Sequence, residues 1–276
     1  MRKSINHISK SLKTQFPEIL PLQPQEVEQL KDYEEWETCS LNIRQDIPGV
    51  GRKEDHTDGS LKALTMETLD QNYPAKEWAH IFTDGSADEA VRNGGGGVYM
   101  KFPDGTRSSH MVSTGKYSTN FRAEACALLK AATELNTPET APEKTVILSD
   151  CKSLLQSLQS CKDQSKLMGD LRKELAVLNY RTQLVIQWIP SHCGVYGNEE
   201  ADKLSKQGSK QNQTEHPVSY AEAKTLLKNC FPQILEGAPR HHNRERRPGQ
   251  PDTKAAGDNL QTANRSQPPA FAPLQT

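Results

Sequence analysis

The chain has 276 residues, 34 Lys plus Arg against 35 Asp plus Glu, and 34% apolar residues, which allows one ordinary domain with flanking arms or two small ones. No run approaches the ~18 consecutive apolar residues of a membrane-spanning helix, and the first residues lack the apolar core of a secretory signal, so no membrane partner is expected. Cys39, Cys126, Cys151, Cys161, Cys193 and Cys230 form no Cys-x-x-Cys pair, so neither a disulfide framework nor a structural zinc site is legible in their spacing.

The near-zero net charge hides an uneven distribution: residues 1–75 sum to −4, residues 76–212 to +1 and residues 213–276 to +2. Residues 1–75 read as an acidic extension, partly helical, with one helix over 25–36 and then loop. Arg2, Lys3, Lys10 and Lys13 stand without an acid among the first fifteen residues, a faint transit-peptide pattern. The expected address is nonetheless intracellular, cytoplasmic or nuclear rather than mitochondrial, with reduced thiols.

Dense patterning begins at Trp78. WAHIFTD (78–84) is an aromatic and β-branched run ending in Asp84, and so a strand. GGGGVYMKF (94–102) and TRSSHMVST (106–114), joined by Pro103-Asp104-Gly105, predict an antiparallel hairpin. NFRAEACALLKAATEL (120–135) places Phe121, Ala125, Leu128, Leu129, Ala132 and Leu135 on one helical stripe, with Asn120 as its expected cap. TVILSD (145–150) is an apolar strand ending in an acid, CKSLLQSLQS and QSKLMGDLRKELAVLNY (164–180) are helices, and LVIQWIP (184–190) is another buried strand. GNEEADKLSKQGSK (197–210) reads as a helix capped by Asn198. The order β-β-β-α-β-α-α-β-α predicts an α/β fold with a mixed five-stranded sheet, three antiparallel strands followed by two parallel, flanked by helices. Residues 213–276 are expected to hold a short helix over 219–229, with Ser219 as its cap, and then a disordered Pro-, Gln- and Arg-rich tail from Gly237.

Asp84 and Asp150 both stand at or near strand ends, where a segment committed to burial has no use for a charge. Either residue alone reads equally as a turn former. If the two strands are parallel neighbours, however, both carboxylates reach the carboxyl edge of the sheet, where α/β folds place ligands, and they repel each other without a cation. Glu124 and Asp202 lie on helices that can swing toward the same edge. An oxygen-only cluster of this kind selects a hard divalent ion, magnesium or manganese rather than zinc.

TDGSA (83–87), NFRAE (120–124), ILSD (147–150) and PSHCGVYGNEEAD (190–202) together resemble type 1 ribonuclease H, in the family's order and at compatible spacings over roughly half the chain. The wording of residues 93–106 and 186–208 is most similar to the ribonuclease H region of non-long-terminal-repeat retrotransposon polyproteins. The resemblance implies a ribonuclease H catalytic domain at 76–212. It implies that Asp84, Glu124, Asp150 and Asp202 bind two magnesium ions, which manganese can replace, and that His192 is a mobile histidine beside them. Gly85, Ser86, Thr119, Asn120 and Arg122 become contacts to nucleic acid. The implied activity is hydrolysis of the RNA strand of RNA/DNA hybrids by two-metal catalysis, by a monomer, leaving 5′-phosphate and 3′-hydroxyl ends. The segment CKDQSKLMGD is shorter than the basic protrusion of some family members and carries no aromatic residue. A retroelement-derived protein that binds nucleic acid without cutting it is the alternative, and the intact carboxylates favour the enzyme. An integrase or transposase of the same superfamily also expects acidic metal ligands but resembles neither the RAE nor the SHCG wording.

Overall fold

A computed structural model describes residues 41–88, 91–137, 142–160 and 165–214, together with His216, Val218, Ser219, Glu222 and Thr225. In chain order its elements are β1 (Ile43–Arg44), a 3-10 turn (Lys53–Asp55), α1 (Asp58–Asn72), β2 (Ala79–Asp88), β3 (Arg92–Lys101), β4 (Arg107–Gly115), α2 (Asn120–Leu135), β5 (Lys144–Ser149), α3 (Lys152–Ser160), α4 (Lys166–Arg181), β6 (Gln183–Trp188) and α5 (Tyr196–Gly208). The expected helix over 25–36, most of that over 219–229 and the tail from Gly237 lie outside the described residues. Among the described residues no helix is long and apolar enough to cross a membrane.

The sheet runs β1-β6-β5-β2-β3-β4. β2, β3 and β4 are antiparallel, and β5, β6 and β1 continue the sheet in parallel from β2. Alternation along the strands divides the core between two faces. Ala79, Ile81, Val98, Met100, Ile147, Leu184 and Ile186 face one way, against Leu128 and Leu135 of α2, Leu154 of α3 and Leu171 and Leu175 of α4. Phe82, Tyr99, Val146, Leu148 and Val185 face the other, against Leu61 and Leu69 of α1 and Ala201 of α5.

The sheet has six strands rather than the expected five, because Ile43 and Arg44 pair with Ile186 and Gln187 of β6. Two residues carry no alternation for a sequence pattern to reveal. α1 also occupies a stretch expected to be loop. Its inward stripe is Leu61, Thr65, Thr68 and Leu69, half of it polar by composition. The two hydroxyls are satisfied within the helix, Thr65 donating to the Leu61 carbonyl at 2.7 Å and Thr68 to that of Leu64 at 2.8 Å, so the threonines bury without cost in unmade hydrogen bonds. Tyr73, just after α1, is buried and donates its hydroxyl to Gln187 of β6 at 3.0 Å. The described part of the acidic extension is thus packed onto the sheet.

Candidate active site

β2 and β5 are parallel neighbours with Thr83 opposite Ser149. Asp84 and Asp150 are the next residue on each strand and therefore stand side by side. β5 stops there, whereas β2 continues to Asp88 along β3, with Asp84 opposite Gly97. Asp84 is consequently inside a strand, not at its end. It is held by Ser205 of α5, whose hydroxyl donates to Asp84 Oδ2 at 2.7 Å. Asp150 takes a bond from Asn198 Nδ2 at 3.4 Å, and its carbonyl accepts from Trp188 Nε1 at 3.1 Å.

Glycine lets the helices come this close. A Cβ on Gly85 would lie 2.2 Å from the Glu124 backbone nitrogen, and one on Gly97 would lie 2.0 Å from the Ala201 carbonyl. The first vacancy brings the start of α2 against β2 and delivers Glu124; the second lays α5 against β3 and delivers Ser205. Asp84, Glu124 and Asp150 each place a carboxylate oxygen within 4.8 Å of the others.

Asp202 belongs to a second group. One of its carboxylate oxygens, a His192 ring nitrogen and a Glu199 carboxylate oxygen lie within the same 4.8 Å limit of one another. Lys206, one turn further along α5 and just past the motif, pairs with Asp202 at 2.6 Å in an i to i+4 relation. Glu199 was not singled out in the sequence, although its i to i+3 relation to Asp202 puts both on one helix face. Ser205 repeats that spacing from Asp202, but its bond to Asp84 crosses between distant segments and has no sequence signal. His192 is exposed with φ +53° in the loop between β6 and α5.

The two expected caps are corrected. Thr119, not Asn120, caps α2, its hydroxyl accepting from the Arg122 amide at 3.2 Å; Asn120 is the first helical residue and is exposed. Asn198 lies inside α5, which starts at Tyr196 without a side-chain cap, and serves Asp150 instead.

Like charge and burial raise the proton affinity of the inner group. Burial, then the charge of Asp150, lifts Asp84 from 3.8 to about 7, with Ser205 partly opposing. Burial, then Asp84, pushes Glu124 well above the carboxylate range, with the Gly85 amide partly opposing. Burial also raises Asp150, against the Asn198 bond and the charges of His192 and Lys53. Glu124 Oε2 is buried without a hydrogen-bond partner among the described residues. Three crowded carboxylates with an orphaned buried oxygen are what a hard divalent cation satisfies, because it supplies the missing partner and removes the repulsion together. The donor set therefore fits such an ion.

The residues expected to touch nucleic acid border this group. Gly85 and Ser86 follow Asp84 on β2, and Ser86 Oγ is buried without a partner among the described residues. Thr119 and Arg122 lie at the start of α2 with Asn120, but Arg122 is engaged: Glu222 pairs with its guanidinium, at 3.2 Å through Nη2. Glu222 in turn accepts from the Ser219 amide at 2.8 Å, while the Ser219 hydroxyl accepts from the Glu222 amide at 3.3 Å, a reciprocal capping pair. Of the helix cations, Arg172 donates to the Ser157 carbonyl at 3.1 Å and Arg181 to that of Thr137 at 3.2 Å, so both tie elements together.

Residues 76–210 match the family model for ribonuclease H, just under half of the chain. The ribonuclease H of Stutzerimonas stutzeri is 26% identical over 144 residues, covering 48% of this chain and 91% of that protein. Ribonuclease H1 of Rattus norvegicus is 28% identical over 192 residues, covering 63% of this chain and 64% of its own length. The solved structure of LC11-RNase H1 in complex with RNA/DNA hybrid overlaps 47% of this chain and 97% of its own, at 19% identity and a TM-score of 0.39.

Proposed function

We propose that the protein is an endoribonuclease that hydrolyses the RNA strand of RNA/DNA hybrids, leaving 5′-phosphate and 3′-hydroxyl ends, a reading supported by the match of residues 76–210 to the ribonuclease H family model. The observation that carries this reading is the buried group of Asp84, Glu124 and Asp150, its ligand oxygens within 4.8 Å of one another. Two magnesium ions, or manganese in their place, held there and by Asp202 would supply the acidity that activates a water and stabilises the leaving 3′ oxygen.

The chain's own residues set the rest. Ser205 and Asn198 fix the rotamers of Asp84 and Asp150, so the carboxylates are placed before substrate arrives. Glu124 and the backbone at Gly85 and Ser86 face the sugar of the scissile strand and distinguish RNA by its 2′-hydroxyl. Thr119, Asn120 and Arg122 hold the DNA strand, Arg122 exchanging Glu222 for a phosphate. His192 stands on an exposed loop, where imidazole takes up or returns a proton and speeds departure of product. The protein acts as a monomer, and the wording of residues 93–106 and 186–208 supports descent from a non-long-terminal-repeat retroelement.

The test is incubation of the full chain with labelled RNA/DNA hybrid, RNA duplex and DNA duplex, with magnesium and with chelator. Only the hybrid's RNA is expected to be cut, and only with the metal. Binding of hybrid without any cleavage in magnesium or manganese would move the protein to the silent nucleic-acid-binding alternative.

A further inference from the structure

The segment ahead of the ribonuclease H domain reaches the loop that carries His192. Lys53, in the 3-10 turn before α1, donates from its ammonium to the Ser191 carbonyl at 2.9 Å and to the Ser191 hydroxyl at 2.8 Å. These two contacts span 138 positions of sequence and land on the residue immediately before His192. Lys62 of α1 approaches the same loop, since a Cβ on Gly194 would lie 3.7 Å from its Nζ.

His192 and Gly194 are both left-handed, at φ +53° and +82°, a region uncommon for a residue with a side chain and one that contacts from neighbouring segments help to hold. Within the loop, Cys193 Sγ donates to the Pro190 carbonyl at 3.3 Å, and the Gly194 amide reaches Glu199 Oε1 at a long 3.3 Å. Beneath them Ile189, Cys193 and Val195 are buried together with Ile47 and Leu61, which stand before and after Lys53 in the chain. The turn is therefore anchored on both sides while its ammonium is stretched over the loop. Lys53 itself is exposed, so its contribution to folding is small.

We propose that Lys53 is a positioning residue of the active site: by gripping Ser191 it holds His192 in its left-handed conformation beside Asp202 and the inner carboxylates. The catalytic consequence rests on the ribonuclease reading above; the grip on the loop does not. A mobile histidine that helps product leave is then mobile only within limits set from outside the domain proper. Residues 41–73 become part of the enzyme.

The experiment uses the full chain with Lys53→Met, Lys53→Arg, His192→Ala and the Lys53→Met/His192→Ala double variant, each first checked for an unchanged melting temperature. Amide hydrogen exchange of residues 191–195, without substrate, is expected to rise about tenfold or more in Lys53→Met and to return toward wild type in Lys53→Arg, since Arg can also donate twice. In hybrid cleavage, Lys53→Met should lower the multiple-turnover rate by about 3- to 10-fold with KM little changed, a part of what a proton-relay group contributes. In the His192→Ala background the same substitution should change the rate by less than about twofold, because residues that act as one unit are not additive. Equal losses in both backgrounds, or unchanged exchange in the loop, would overturn the proposal. A loop that loosens in Lys53→Met while the wild-type protein cuts no hybrid would instead overturn the ribonuclease reading, and the catalytic half of the proposal with it.

Discussion

Two groups of potential ligands stand at one edge of the sheet and are built on opposite principles. Asp84, Glu124 and Asp150 come from two strands and a helix, are locked by glycine-permitted close approaches, and are buried enough to leave Glu124 Oε2 orphaned. His192, Glu199 and Asp202 come from one loop and the helix after it; His192 is exposed, and Asp202 already has Lys206 as a partner. Burial makes the inner group intolerant of its own charge. The inner group is thus short of a cation, whereas in the outer one Asp202 already faces Lys206 at 2.6 Å.

The sharpest test of that contrast is to remove charge from each group in turn. Asp150→Asn or Asp84→Asn takes a full negative charge from the cation site and is expected to lower the single-turnover rate at least ~10²-fold, with hybrid binding largely retained. His192→Ala is expected to cost only about 10- to 100-fold, because water substitutes for imidazole in an exposed loop. Near-normal cleavage by Asp150→Asn beside an inactive His192→Ala would reverse the comparison and put the histidine at the centre of the chemistry.

A second contrast appears in stability rather than rate. Asp84, Glu124 and Asp150 bind protons more tightly folded than unfolded, so in chelator the native state holds more protons than the unfolded chain between pH ~4 and about 7. Stability therefore falls as pH rises through that window, by up to about 1.4 kcal/mol per pH unit for each titrating group. Magnesium should restore much of the loss near pH 7 and do little near pH 4, where protons already occupy the oxygens. Melting temperatures across pH with and without magnesium decide this. An identical pH slope in Asp84→Asn, with no response to magnesium in the wild type, would show that the inner group is not under strain. The smallest expected effect lies at the rim: Glu222→Gln releases Arg122 and should tighten hybrid binding by about 2- to 5-fold at low salt, fading as salt is raised. Unchanged affinity would mean that Arg122 does not meet the nucleic acid.

The sequence by itself determined most of the elements of residues 76–212 and two of the carboxylates that meet at the sheet edge, because burial imposes period 2 on strands and 3.6 on helices and because a buried-strand pattern interrupted by Asp84 or closed by Asp150 is conspicuous. The conditional step, that these strands be parallel neighbours, is met by the pairing of Thr83 with Ser149. Tertiary structure alone decided the remainder. Asp202 sits with His192 and Glu199 rather than with the inner three, since which carboxylates meet depends on how closely α5 approaches β3, and that is set by the missing Cβ of Gly97. α1 was hidden because Thr65 and Thr68 bury through bonds to their own helix, and β1 because two residues have no period. Lys53 left no local trace at all: its partner lies 138 positions away, and a contact between an exposed ammonium and a distant carbonyl writes nothing into the pattern of either segment.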